Sequence, residues 1–315
     1  MASSAFWSDT GNGAKKGTVT SSCWRCIGHG GCWNVRVTAA SRAPAPVGDL
    51  ASFVGEIFTH DGVVHPILRK GGGPAVIVIT ELPGISRQVL GFADRVVALG
   101  CTAVLPDLFG TAGRDPLVAG LTERVARLRT IAGACISREF TVLATGRSSP
   151  ITGWLRALAA REHERCGGPG VGVVGMCFSG GFALAMAVDP VVVAPVLSQP
   201  ALPLPVSPSR KRTIDCGDRD LDAVARRCAG GLRVLGLRFD GDPLVPAERF
   251  AFLRERLGDG FIAVELRQED GQPSEPLRKH HSVLTLGLID EPGEPTRAAL
   301  DQVLDLFAGQ LGLRR

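Results

Sequence analysis

The chain has no tyrosine, only 5% aromatic residues, and a net charge of just +4 over 315 residues. Nucleic-acid recognition draws on a continuous basic face with aromatics interleaved for stacking. The densest basic run here is the triplet Arg210, Lys211, Arg212, which follows SPS and reads as a solvated loop. No nucleic-acid partner is expected. Also missing is any apolar run approaching the roughly 18 residues of a membrane helix. The N-terminus lacks the unbroken apolar segment of a secretory signal, so no membrane partner is expected either. Paired cysteine motifs are scarce: of nine cysteines, only Cys23 and Cys26 form a CxxC. The others beyond residue 48, such as Cys101, Cys135 and Cys228, sit singly in apolar or helical contexts. That pattern fits reduced thiols, and the expected location is cytoplasmic.

Acidic residues are nearly absent from the start of the chain, where Asp9 is the sole one before Asp49. Residues 1–48 are rich in Ser, Gly, Thr and Ala without helix or strand periodicity, and read as a disordered N-terminal extension. A Ser-rich, acid-poor start also resembles an organelle transit peptide. Within it, CWRCIGHGGC brings Cys23, Cys26, His29 and Cys32 together. Gaps of two residues between successive ligands leave little chain to wrap a zinc ion, and no second ligand pair follows, so no metal site is expected.

What remains, residues 49–315, alternates short apolar runs with helical patterns. AVIVIT (75–80), CTAVLP (101–106), VGVVG (171–175), VVVAPVLS (191–198), LRVLGLRF (232–239) and FIAVELR (261–267) read as buried strands. Between or after them lie helical stretches such as ITGWLRALAAREHER and PTRAALDQVLDLFAGQL, and a longer one within 116–144. This rhythm predicts a single α/β domain, a mostly parallel sheet covered by helices on both faces. In such sheets ligands bind beyond the carboxyl ends of the strands. Attention therefore falls on residues just after Thr80, Pro106, Gly175 and Phe239.

After Gly175 the sequence reads MCFSGG, with two candidate nucleophiles, Cys177 and Ser179. A nucleophile elbow is a strand-to-helix turn so tight that the residues two before and two after its centre are small. Both registers pass that test. The strand pattern stops at Gly175, so a centre at Cys177 follows almost at once, while Ser179 falls inside the helix. A thiolate at a helix N-terminus also gains from the partial positive charge there. Cys177 is the candidate. Partners follow in the order of a hydrolase triad: Asp240 or Asp242 after one strand, then His280 or His281 after the next.

These residues resemble the dienelactone hydrolase family, a branch of the α/β-hydrolases with cysteine in place of serine, from about residue 53 to residue 311. GMCFSGG resembles its nucleophile elbow, DPLVP its acid turn, HSV its histidine motif, and ELPG and PDLFG two earlier blocks. The resemblance implies an α/β-hydrolase fold, selects Asp242 over Asp240 and His281 over His280, and assigns no cofactor. It implies that Glu81 contacts the resting thiol and takes its proton when substrate arrives. Cys177 would attack a lactone or ester carbonyl, His281 shuttle the proton, and Asp242 hold the imidazole. Backbone N–H groups of Leu82 and Phe178 would form the oxyanion hole, each worth about 3 kcal/mol.

Family members acting on dienelactone itself bind its carboxylate with arginines at positions held here by Thr111 and Thr285, and use a tyrosine this chain lacks. Arg114 and Arg138 are the candidate substitutes, in a segment (113–150) placed to cover the site. The expected activity is a cofactor-free hydrolase of a small lactone or activated ester. Alternatives are a thioesterase or general carboxylesterase on the same scaffold, or a non-catalytic binder of small molecules. The sequence leaves the oligomeric state open.

Overall fold

The computed structural model describes residues 20–26, 32–38, 43–44, 46–110, 112–113, 147–273 and 279–313. Two units emerge, residues 1–42 and 43–315. In the first, strands β1 (Thr20–Cys26) and β2 (Cys32–Thr38) pair antiparallel, with Thr20 opposite Thr38 and Cys26 opposite Cys32. The side chains of its cysteine cluster lie outside the described residues. So do Thr111, Arg114, Arg138 and the helical stretch within 116–144.

The second unit opens with an antiparallel hairpin, β3 (Val54–His60) and β4 (Val63–Gly71). Asp61 and Gly62 link them, at φ 48° and 76°. Positive φ at both loop residues gives the turn whose twist matches the flanking strands, and Asp-Gly is a sequence that favours it. Six further strands are β5 (Ala75–Ile79), β6 (Thr102–Pro106), β7 (Val171–Met176), β8 (Val192–Ser198), β9 (Val234–Phe239) and β10 (Phe261–Leu266). The sheet runs β10-β9-β8-β7-β5-β6-β4-β3. From β6 to β10 every neighbouring pair is parallel, while β4 pairs antiparallel with both β3 and β6. The expected mostly parallel sheet is thus present, with the hairpin as its antiparallel margin.

Side chains alternate between two cores, one on each face. Ile77, Ile79, Val171 and Val173 join α2 (Ile151–Cys166), α3 (Gly180–Met186), α5 (Asp218–Ala229) and α6 (Ala247–Leu257). Val76, Val78, Val174 and Met176 join α1 (Arg87–Ala98) and α7 (Pro295–Gln310). All five residues of β5 are fully buried, which suits a central strand without polar alternation. Each large side chain so buried contributes about 1.5–3 kcal/mol. In α1 the buried residues Val89, Phe92, Ala93 and Val96 recur at helical spacing, and Ser86 caps the start by accepting from the Val89 N–H at 3.2 Å.

The basic triplet corrects one expectation. Arg210 and Lys211 belong to a single helical turn, α4 (Pro208–Lys211), rather than a loop. Ser207 accepts from the Arg210 N–H at its start, and proline occupies the first turn, where its missing N–H costs nothing. Among the described residues, no helix is long and apolar enough to cross a membrane.

Candidate active site

The end of β7 turns sharply into a 3-10 turn, Cys177–Ser179, before α3 begins. Cys177 has φ 55°, a left-handed conformation unusual for a residue with a Cβ. Cys177 itself is half-buried and packs against the hydrophobic cluster on that face. The flanks must be small because the turn is so tight. A Cβ on Gly175 would stand 2.3 Å from the Ser179 carbonyl oxygen, and one on Gly180 2.5 Å from the Pro200 Cα.

Ser179 is fully buried behind the turn. Its Oγ accepts from the Met176 N–H at 2.9 Å, with the carbonyls of Ile79 (2.9 Å), Met176 (3.0 Å) and Thr80 (3.1 Å) within reach of its single proton. The hydroxyl therefore stitches the elbow to the end of β5. Ser179, expected inside the helix, instead ends the 3-10 turn just before it and ties both strands to that turn.

On the far side, the Asp242 and His281 side chains are both buried, with His281 Nδ1 2.7 Å from Asp242 Oδ2. The other oxygen of Asp242 accepts from the Leu244 N–H at 2.9 Å, which fixes the carboxylate plane. Burial lowers the His281 pKa, but the charge of Cys177, hydrogen bonds to Asp242 and Cys177, and the charge of Asp242 outweigh it. The net result lies well above the ordinary value of 6.5. Asp240, by contrast, is exposed and offers its carbonyl to the Gln268 amide at 2.6 Å. The His280 ring packs 5.5 Å from Phe239.

Glu81 emerges from the end of β5 and is buried. Its Oε2 accepts from Ser282 Oγ at 2.7 Å and from Gln199 Nε2 at 3.1 Å, and its Oε1 accepts from the Thr285 hydroxyl. Gln199 is fully buried at the end of β8 with φ 38°, and its Oε1 also accepts from the Val283 N–H at 3.3 Å. Glu81 and Gln199 thus hold the two residues that follow His281. Sequence reasoning missed Gln199. Its signal was the polar Ser-Gln-Pro step ending the apolar run VVVAPVL, but only the strand order puts β8 beside β7. Thr285, which stands where the resemblance expects an arginine, is fully buried and committed to Glu81.

Leu82 and Phe178, the expected oxyanion donors, directly follow Glu81 and Cys177. Leu82, Phe109 and Cys177 are half-buried and pack against the same hydrophobic cluster as Phe178, whose ring meets Phe109 edge-on at 5.8 Å. Apolar walls beside a thiol and an imidazole suit attack on an uncharged carbonyl, since they exclude water from the developing charge.

The dienelactone hydrolase family model matches residues 64–213. That span takes in Glu81 and Cys177 and stops short of Asp242 and His281. Over that span the match bears out the resemblance carried by the motifs. Among solved structures, a dienelactone hydrolase-like promiscuous phosphotriesterase from metagenomic libraries is 17% identical with a TM-score of 0.51, over 82% of this chain and 98% of its own. The 2,6-dihydroxy-pseudo-oxynicotine hydrolase is 16% identical with a TM-score of 0.51, over 82% of this chain and 69% of its own. A puromycin hydrolase is 15% identical with a TM-score of 0.52, over 89% of this chain and 41% of its own. At such identities the likeness is one of fold. No curated protein matches the chain.

Proposed function

Taking the dienelactone hydrolase family match as the premise, we propose that the protein cleaves a small lactone or activated ester through Cys177, His281 and Asp242. The observation that carries this reading is the buried His281–Asp242 pair at 2.7 Å, interacting with a cysteine in a left-handed turn. Cys177 passes its proton to His281, and the sulfur attacks the carbonyl carbon. Backbone N–H groups of Leu82 and Phe178 receive the oxyanion. The carbon–oxygen bond breaks, and His281 returns the proton to the leaving alcohol. Water, deprotonated by His281, then hydrolyses the thioester and frees the acid. Asp242 keeps the imidazole tautomer and offsets its charge throughout. Glu81 takes up that thiol proton first as substrate enters and hands it on to His281, so that one proton serves the acylation step.

A thioesterase or general carboxylesterase activity is the second reading. Thr285 favours it, because its hydroxyl is given to Glu81 and supplies no cation for a substrate carboxylate. Hydrolysis of p-nitrophenyl acetate, thioesters and a dienelactone by wild type, Cys177→Ala and Ser179→Ala separates these cases. Loss with Cys177→Ala on all substrates supports the triad; wild-type rates in that variant would overturn it. Thr285→Arg should raise turnover of carboxylated substrates relative to neutral ones if the missing cation sets specificity.

A further inference from the structure

Arg249 is completely buried, and no step above uses it. It lies on α6, where the other buried residues, Phe250, Leu253 and Leu257, are apolar core. Among the described residues its hydrogen bonds all go to main-chain carbonyls. Nε reaches Thr213 at 2.7 Å; Nη1 reaches Pro200 at 2.7 Å and Leu244 at 3.3 Å; Nη2 reaches Pro203 at 2.5 Å and Arg210 at 3.1 Å. A guanidinium has five N–H donors in a rigid plane, and five carbonyls match them; a lysine ammonium would serve at most three. Burying a full charge among dipoles is costly. Burial accordingly draws the Arg249 pKa down to about 10, with the Asp242 carboxylate opposing the drop.

Two of the five carbonyls lead straight to the triad. Leu244, whose carbonyl Arg249 holds, donates its N–H to Asp242 at 2.9 Å. Pro200, held by the same Nη1, lies between Gln199 and Ala201. Gln199 binds Glu81, while the Ala201 N–H donates to the Cys177 carbonyl at 2.9 Å. A single nitrogen therefore spans the loop that braces the nucleophile and the turn that carries the acid.

We infer that Arg249 is a positioning residue, gathering the 199–203 loop and the 242–244 turn so that Cys177 and the Asp242–His281 pair stay in reacting register. This rests on the triad reading of Cys177, Asp242 and His281. Among the described residues several charged groups face the pair, including Lys279, whose Nζ lies beside Gly241, the neighbour of Asp242. Cys177 and Arg249 act on it directly, and Glu81 reaches Ser282 beside His281. Arg238 donates to the Phe239 and Val245 carbonyls at the base of the same turn and is itself paired with Glu265. Asp215, on the loop gripped from Thr213, accepts from Ser149.

The test compares wild type with Arg249→Met and Arg249→Lys. It reads steady-state hydrolysis of p-nitrophenyl acetate and the pH dependence of Cys177 alkylation by iodoacetamide, located by peptide mass spectrometry. Folded Arg249→Met should lose about tenfold or more in kcat with KM changed less than about threefold. The acid limb of its alkylation profile should move to higher pH by about half a unit or more, because a buried positive charge no longer opposes protonation of the triad. Arg249→Lys keeps the charge, so its acid limb should stay in place while kcat falls about threefold or more. Arg249→Met with an unmoved limb and kcat within about twofold of wild type, even with a lower melting temperature, would overturn the inference. If Arg249→Met does not fold, Arg249→Lys decides on kcat and limb position by the same criteria. Failure of the triad reading is separate: it appears as wild-type turnover in Cys177→Ala.

Discussion

The hydroxyl of Ser282, the residue after His281, lies 2.7 Å from Oε2 of Glu81. A carboxylate at the end of β5 thereby holds the loop of the histidine, 201 residues away in sequence. Glu81 has a holding role as well as the chemical role proposed for it, and substitutions can separate the two. Glu81→Ala leaves the buried donors of Gln199, Ser282 and Thr285 without their acceptor, at about 1–3 kcal/mol each before relaxation. Its melting temperature should drop by several degrees. Glu81→Gln preserves the shape and can re-pair with hydroxyls that turn around. It should melt within a few degrees of wild type yet lose kcat/KM, as thermal scans and ester kinetics on the pair will tell.

Cys177 should combine chemical necessity with backbone strain. A non-glycine residue at φ 55° carries roughly 1–3 kcal/mol of strain that glycine avoids. Cys177→Gly should therefore be inactive while melting at or above the wild-type temperature. A clear fall in melting temperature would show that the turn is unstrained.

Ser179→Ala should behave in the opposite way. It removes the acceptor of the buried Met176 N–H and the tie to β5, at about 1–3 kcal/mol. Stability and kcat should both fall, but a p-nitrophenyl acetate burst should still acylate Cys177. Acylation appearing on residue 179 in wild type would contradict this. Gly175→Ala, which sets a Cβ 2.3 Å from a main-chain oxygen of the same turn, should be worse than Ser179→Ala for both stability and turnover.

The raised His281 pKa has a consequence for stability. Folding favours the protonated imidazole, so this contribution is complete below the unfolded value near 6.5 and is lost as pH rises through the raised folded value. Above about pH 6.5, denaturant midpoints of wild type should decline with pH through that window. His281→Asn should flatten the decline. Equal slopes in the two proteins would place the proton uptake elsewhere.

Thiol reagents offer a clean readout at neutral pH. Burial pushes the Cys101 thiol up to about 11 and raises Cys216 and Cys228 as well. Limited iodoacetamide at pH 7 should label Cys177 ahead of these three, and preferential labelling of any of them would be a contrary result.

The proposed nucleophile was legible because an elbow is a local device: strand end, small flanks and cysteine all fall within GMCFSGG. The choice of Asp242 and His281 needed the family motifs, since Asp240 and His280 satisfied the chain order equally well. The hairpin from Val54 to Gly71 has an Asp-Gly turn, but its strands are partly exposed and lack the continuous apolar runs that mark the buried parallel ones. Gln199 left only the polar Ser-Gln-Pro step as a signal, and Arg249 left none. What each side chain does depends on which loops the sheet order brings together, and strand order is not written in any one segment. The one-turn helix at Pro208–Lys211 is too short to show a period, though its Ser-Pro start was visible.

The long spans that join the site carry a further consequence, for how the protein acquires activity as it folds. Ser179 meets the Ile79 carbonyl across 100 residues, Gln199 meets Glu81 across 118, and Thr285 meets Glu81 across 204. Closing such loops is slow, and local helix formation does nothing to advance it. Hydrolysis should therefore return only in the last kinetic phase of refolding, after far-UV ellipticity has recovered. A nascent chain that has not yet delivered residues 281–285 holds the Cys177 turn but lacks the histidine proposed to act with it.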